Sequence, residues 1–334
     1  MQVLRMWDGS WWLRAAVDGY PSKVPAVGGR AVQSTLAFFP VYPLLIRALH
    51  KLTGLSTLDC GVAISFVCGA ALVVALWYLV ERTAGRAVAD RSIVLFAFFP
   101  SSFLLSLVYA EPLMLLGCVI TLYAMTSRRW VLAGSVAAVT TAVRPNALAL
   151  TAALAVAAIV ELRRDRKWRS FWRPAAAAGL SVLGFLVVLA FFWRRTGDLG
   201  VWFRVQHQGW GTRFDFGHQS LRYFVDFVLF RAEPSRAVVG LSIIVAIAMV
   251  VLLVWSREAA PTVTFGIVMI AVPLLSANFT GPRFLLSALP AFPAAAKRLR
   301  GEAYTVVVAV SAVVLGLLIV LYGATIRGPL TLPP

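Results

Sequence analysis

Apolar runs of about 20 residues recur along the chain, separated by short breaks rich in arginine. A helix of that length crosses the ~30 Å hydrocarbon core of a bilayer. Strands of a membrane barrel would instead alternate polar and apolar positions over roughly ten residues. The runs predict helices at about 58–80, 92–109, 112–127, 130–143, 147–160, 174–193, 237–255, 261–277, 284–296 and 304–322. The expected fold is therefore all-α, a polytopic transmembrane bundle of about ten spans with added interfacial or re-entrant helices.

The breaks carry their own pattern. Arg82, Arg86 and Arg91 fill one; Arg128 and Arg129 the next but one; then come Arg163, Arg164, Arg166, Lys167, Arg169 and Arg173, then Arg257, then Lys297, Arg298 and Arg300. Cations in short loops favour the cytoplasm. The alternate set then faces outward: residues 1–57, the Tyr109-Ala110-Glu111-Pro112 corner, the Arg144-Pro145-Asn146 corner, a large loop at 194–236, and residues 278–283. This parity requires 130–160 to cross twice as short helices broken at Pro145, because proline lacks an N–H and disfavours helix at the residue before it. It also requires Phe38-Phe39-Pro40-Val41-Tyr42-Pro43 to be interfacial or re-entrant.

Composition agrees. Of 334 residues 60% are hydrophobic and 13% charged, against about 25% charged in soluble domains, and mean hydropathy is +0.83. An ordinary soluble domain is excluded. The net charge of +17 reflects cytoplasmic arginines and sites for anionic lipid or phosphate rather than nucleic acid. Cys60, Cys68 and Cys118 lie in apolar stretches without metal-type spacing and are expected to pack. Residues 1–20 hold no apolar core of a signal peptide. No repeat or low-complexity linker divides the chain, so 1–334 is expected to form a single membrane domain.

Within this frame a few polar residues call for a reason, since burying an acid costs several kcal/mol unless it is paired or hydrated. Asp8, in Trp7-Asp8-Gly9-Ser10-Trp11-Trp12, is either a helix N-cap or a carboxylate held at the outer surface as a general base. Glu111 is either a helix-start acid favoured by the dipole or a group that binds a sugar hydroxyl, a cation or a basic partner. Arg144 and Asn146 are a snorkelling cation and a cap, or a phosphate clamp suited to the planar guanidinium; Arg283, in Gly281-Pro282-Arg283-Phe284, offers the same choice. The outer loop segment Trp202-Phe203-Arg204-Val205-Gln206-His207-Gln208-Gly209-Trp210 suits carbohydrate, with His207, Gln208 and Trp210 as binding candidates, or a helix lying on lipid headgroups. The loop's arginines are expected to pair with Asp198, Asp215, Asp226 and Glu233 or to contact lipid phosphates. His207 and His218 are too loosely spaced for a metal site, and neither metal nor cofactor is expected.

These pieces, in this order, resemble the GPI mannosyltransferase 2 (PIG-V) type within the GT-C superfamily of polytopic glycosyltransferases. The resemblance rests on Trp7-Asp8-Gly9-Ser10-Trp11-Trp12 with Gly19-Tyr20, on Phe38-Phe39-Pro40-Val41-Tyr42-Pro43-Leu44-Leu45-Ile46-Arg47, on Phe98-Phe99-Pro100-Ser101-Ser102-Phe103 leading to Tyr109-Ala110-Glu111-Pro112-Leu113, on Arg144-Pro145-Asn146 and on Pro282-Arg283-Phe284. It implies a transferase that moves mannose from a polyprenyl-phosphate sugar to a glycolipid, lipoglycan or protein acceptor on the extracytoplasmic face, with Asp8 as base and Glu111 orienting a substrate. Arg144 and Arg283 then hold the lipid phosphate. It also implies a transmembrane helix ahead of the Trp-Asp motif, where six residues precede Trp7. The Ala-, Val- and Arg-rich composition points to a bacterial plasma membrane. The rival readings are a transporter, which usually shows paired repeats and mid-membrane charges, and a non-catalytic membrane subunit.

Overall fold

The computed structural model describes residues 4, 6–277, 279 and 281–324. Two compact units emerge, one of residues 1–69 and 105–213, the other of residues 70–104 and 214–334.

In the first unit, α1 (Asp8–Val17) is followed by a small antiparallel hairpin of β1 (Ala26–Val27) and β2 (Arg30–Ala31), and then by α2 (Val41–Thr53). The Phe38–Pro43 segment thus feeds a short helix with Pro43 in its first turn, where a missing N–H costs nothing. Leu44, Leu45 and Leu52 are exposed on α2 while Tyr42 and Ile46 are buried, so this helix carries apolar side chains on both faces. It ends at Gly54, which takes φ +71 and returns its N–H to the His50 carbonyl. The long helix α3 (Thr57–Ala84) begins in this unit and continues into the second.

Helices α4 (Arg86–Ala97), α5 (Glu111–Thr126), α6 (Trp130–Val143), α7 (Ala149–Asp165) and α8 (Trp168–Thr196) follow in chain order. The break between α6 and α7 falls where the sequence places it. Pro145 drives Arg144 to φ −153°, ψ 141°, an extended conformation that ends α6. Helices α5, α6, α7 and α8 make the body of the unit, α6 lying along α8. Small residues set this approach: a Cβ on Gly134 would lie 2.8 Å from the Cα of Ala177, and one on Gly184 would run into the carbonyl of Ala138. Thr141 Oγ1 donates to the Ser181 carbonyl at 2.7 Å across the same interface. The unit closes with α9 (Val201–Trp210).

The second unit holds α4 with α10 (His218–Val228), α11 (Pro234–Trp255), α12 (Ala260–Leu274), α13 (Arg283–Leu286), α14 (Ala291–Arg298) and α15 (Gly301–Ala324). Here α14 packs on α4, and Arg91 Nε donates to the Ala296 carbonyl at 3.0 Å. Lys297 pairs with Glu258, and Arg298 donates to the Trp255 carbonyl at 2.6 Å.

Among the described residues five helices are long and apolar enough to cross a membrane, at Thr57–Ala84, Pro145–Asp165, Trp168–Thr196, Arg236–Trp255 and Gly301–Leu321, and the shorter apolar helices are α5, α6 and α12. Two expected continuous spans are interrupted instead. The 92–109 run ends its helix at Ala97, where Phe98-Phe99-Pro100 turns the chain before a 3-10 segment at Ser102–Ser106. The 284–296 run divides into α13 and α14, with Pro290 capping the second. The 194–236 stretch is helical too, in α9 and α10. Arg204 pairs with Asp198 and Arg222 lies 4.0 Å from Asp226, as expected, whereas Asp215 accepts the Gly217 and Gln219 N–H groups at the start of α10. Asn278 lies outside the described residues.

The α6–α8 contact makes one prediction. Gly184→Ala forces the helices apart and destabilises the protein by about 1–3 kcal/mol, the usual cost of overpacking. Gly179→Ala, with open space around it, leaves the melting temperature in detergent unchanged or raises it. Equal melting temperatures for the two variants would refute the close-packing account.

Candidate functional site

The site in the first unit is built at the start of α1. Trp7 precedes the helix with φ +49° and ψ −116°, a region that bulky L-residues enter at a cost of about 1–3 kcal/mol. Asp8 follows as the first helical residue, the cap position being held by Trp7, so Asp8 is not the N-cap residue. Its half-buried carboxylate sits at the positive end of the α1 dipole. Ser10 Oγ closes the turn by donating to the Trp7 carbonyl at 2.8 Å.

Gly9 brings a second segment beside Asp8. The Val108 N–H donates to the Leu4 carbonyl at 3.1 Å, and a Cβ on Gly9 would stand 3.3 Å from the Val108 carbonyl oxygen. The corner that opens α5 is thereby tied to the first turn of α1. A chain of hydroxyls holds it from behind: Tyr42 Oη meets Ser65 Oγ at 2.7 Å, and Ser65 Oγ donates to the Tyr109 carbonyl at 3.0 Å. Burial pushes the Tyr42 phenol well above its ordinary pKa, with the Ser65 bond opposing and the Glu111 charge adding, so it stays neutral.

Glu111 is only 4% exposed. Its Oε1 lies 2.7 Å from Nη1 of the partly buried Arg144, while Oε2 has no hydrogen-bond donor among the described residues. The extended backbone at Arg144 is what frees this side chain from α6 to reach Glu111. On its other side, the guanidinium carbon stands 5.9 Å from the centre of the Trp12 ring.

Trp12 belongs to an aromatic wall. It meets Phe38 edge-on at 4.8 Å and Tyr42 at 5.5 Å, and Trp210, at the end of α9, meets both Trp11 and Phe38 at 5.5 Å. The indole N–H groups of Trp12 and Trp210 are buried without an acceptor among the described residues.

The structure thus brings Asp8, Glu111 and Arg144 into one neighbourhood, with Trp210 on its aromatic wall. Asn146 is half-buried in the short 3-10 turn after Arg144. Gln208 is turned to another task, its Oε1 accepting the Ala31 N–H at 2.8 Å, and His207 is exposed. Sequence reasoning overlooked Gln206 and Trp202, which both donate to the Ala37 carbonyl and fasten α9 to the segment before α2. Their helical spacing of four was the available signal. Arg283 belongs to the second unit, where it starts α13 with its guanidinium 4.9 Å from the Phe284 ring.

No family model matches the chain, and no curated protein matches its sequence. A solved structure does: the crystal structure of ArnT from Cupriavidus metallidurans bound to undecaprenyl phosphate is similar with a TM-score of 0.59 at 14% identity, covering 96% of this chain. The fold is of the GT-C type. The chain spans 61% of the length of that ArnT chain. Its long apolar helices mark it as an integral membrane protein.

The buried pair sets a prediction. Arg144→Ala leaves the Glu111 charge uncompensated and destabilises the protein by about 3–5 kcal/mol, whereas the double change Glu111→Gln with Arg144→Gln restores much of that loss. Thermal unfolding of the single and double variants measures the coupling, and additive losses would show that the two side chains do not act as a pair.

Proposed function

We propose that this protein is a membrane glycosyltransferase that transfers a sugar, mannose by the resemblance to PIG-V, from a polyprenyl-phosphate donor to an acceptor hydroxyl on the extracytoplasmic face. The observation that carries the reading is the half-buried Asp8 on a strained helix start, next to a buried acid–arginine pair, in a GT-C fold. The similar ArnT structure contains undecaprenyl phosphate, which supports a lipid-phosphate donor here.

In this mechanism Asp8 accepts the proton of the acceptor hydroxyl as its oxygen attacks the anomeric carbon. The bond from that carbon to the phosphate oxygen breaks with inversion, and the electron pair leaves on the polyprenyl phosphate. Arg144, fixed on one side by Glu111, offers its remaining N–H groups to the departing charge. The Trp11–Phe38–Trp210 wall supplies flat faces for sugar C–H groups, and the indole N–H of Trp210 supplies a donor for a hydroxyl. The acceptor is a glycolipid, lipoglycan or protein.

Transfer from labelled polyprenyl-phosphate mannose in proteoliposomes tests the reading. Asp8→Asn keeps the shape of the side chain and removes the base, so transfer falls by about 10²–10⁴-fold while the melting temperature holds. Wild-type transfer rates in folded Asp8→Asn would remove Asp8 from the role of base. No transfer by wild-type protein from any polyprenyl-phosphate sugar would overturn the transferase reading itself.

A further inference from the structure

A cleft of about 350 Å³ opens at the other end of α1, lined by Asp18, Gly19, Tyr20, Pro43, Arg47 and Arg195 among others. Its lining begins at Ala15, seven positions after Asp8, a rise of ~10 Å along the helix axis, and includes neither Asp8, Glu111 nor Arg144, so it is not the site described above. Its residues come from α1, α2 and the end of α8, and the fold places two guanidiniums there deliberately. Arg47 is oriented by the Ala16 carbonyl at 2.7 Å and the Ala15 carbonyl at 3.4 Å; Arg195 is oriented by the Tyr20 carbonyl at 2.8 Å. These bonds use two of the five N–H donors of Arg47 and one of Arg195's. Gly19 takes φ +76°, a conformation that favours glycine, beside Nη2 of Arg47.

Tyr20 points to what the cleft takes. It is 8% exposed, and its hydroxyl is buried with no hydrogen-bond partner among the described residues. A buried O–H without a partner is costly. Burial raises its pKa, with the Arg47 charge opposing, so at neutral pH the group remains a donor. Two cations and a neutral donor among the residues that line one cleft match the oxygens of a phosphate. Around them, Val17, Leu44 and Phe191 are exposed apolar side chains, which a free ion in water does not need but acyl chains do. Asp18, exposed and also lining the cleft, leaves a net charge of about one positive and gives an acceptor for hydroxyl groups next to the phosphate.

We propose that this cleft binds the phosphodiester headgroup of an anionic membrane lipid with hydroxyls on its headgroup, Arg47, Arg195 and Tyr20 holding the phosphate and Asp18 the hydroxyls. The site goes beyond the transferase reading and stands without it.

Native mass spectrometry and thermal shift of the purified chain, titrated with phosphatidylglycerol, phosphatidylcholine or inorganic phosphate, test the proposal. Phosphatidylglycerol is expected to be retained and to raise the melting temperature, with phosphatidylcholine and inorganic phosphate both at least tenfold weaker. Tyr20→Phe, which removes one oxygen and preserves packing, weakens phosphatidylglycerol several-fold, and Arg195→Gln weakens it by about tenfold. Arg47→Gln also cuts the ties to α1, so its effect is interpreted only beside these two. Asp8→Asn retains full lipid binding, which separates this site from the transferase chemistry. Equal retention of phosphatidylcholine overturns the headgroup assignment, inorganic phosphate binding as strongly overturns the lipid as source, and unchanged affinity in both Tyr20→Phe and Arg195→Gln overturns the site.

Discussion

Two opposite charges held away from water, Glu111 and Arg144, constrain much of the first unit. Neither is tolerable alone in that environment, since desolvation without a partner costs several kcal/mol. Their contact therefore fixes how α5 begins relative to how α6 ends. The extended residue before Pro145 is the local condition for that contact, and the cation's second neighbour, the Trp12 ring, carries the constraint into α1. Because α1 is also pinned through Gly9 against Val108, the position of Asp8 depends on a pair of residues more than a hundred positions away in sequence.

How much of this could be foreseen differs by interaction range. The α6–α7 break was legible because proline acts on its immediate neighbour. Parity places residues on one side of a membrane; it carries no distance, so the same reasoning that grouped Glu111 with Arg144 could not see that they bind each other. By sequence alone Glu111 suits a sugar hydroxyl, a cation or a basic partner and Arg144 a phosphate, with nothing to name each as the other's partner. The interrupted helices near Phe98 and Pro290 escaped for the converse reason, since a sum of hydropathies over a run is blind to a turn inside it.

Residues whose meaning depends on remote backbone were the least legible. The Gln208 amide, chosen as a candidate ligand for carbohydrate hydroxyls, closes on the main chain of Ala31 instead, 177 residues away. Arg195 and Tyr20 are similarly distant, and nothing in either local sequence announces that one guanidinium is shaped by the other's carbonyl. Such side chains are decided by tertiary contact, where composition and periodicity hold no information.

The leucines on the outward side of α2 have a consequence for how any lipid-borne reactant is encountered. A short helix with an apolar outer face, ending in His50 and Lys51, is of the kind that lies at headgroup depth rather than across a bilayer. Under the proposed function the α1 helix packed on it meets lipid-borne ligands in two dimensions. The variable that governs occupancy is the surface mole fraction of the lipid in its leaflet, so diluting the membranes in more buffer changes nothing, whereas diluting the lipid with an inert one does.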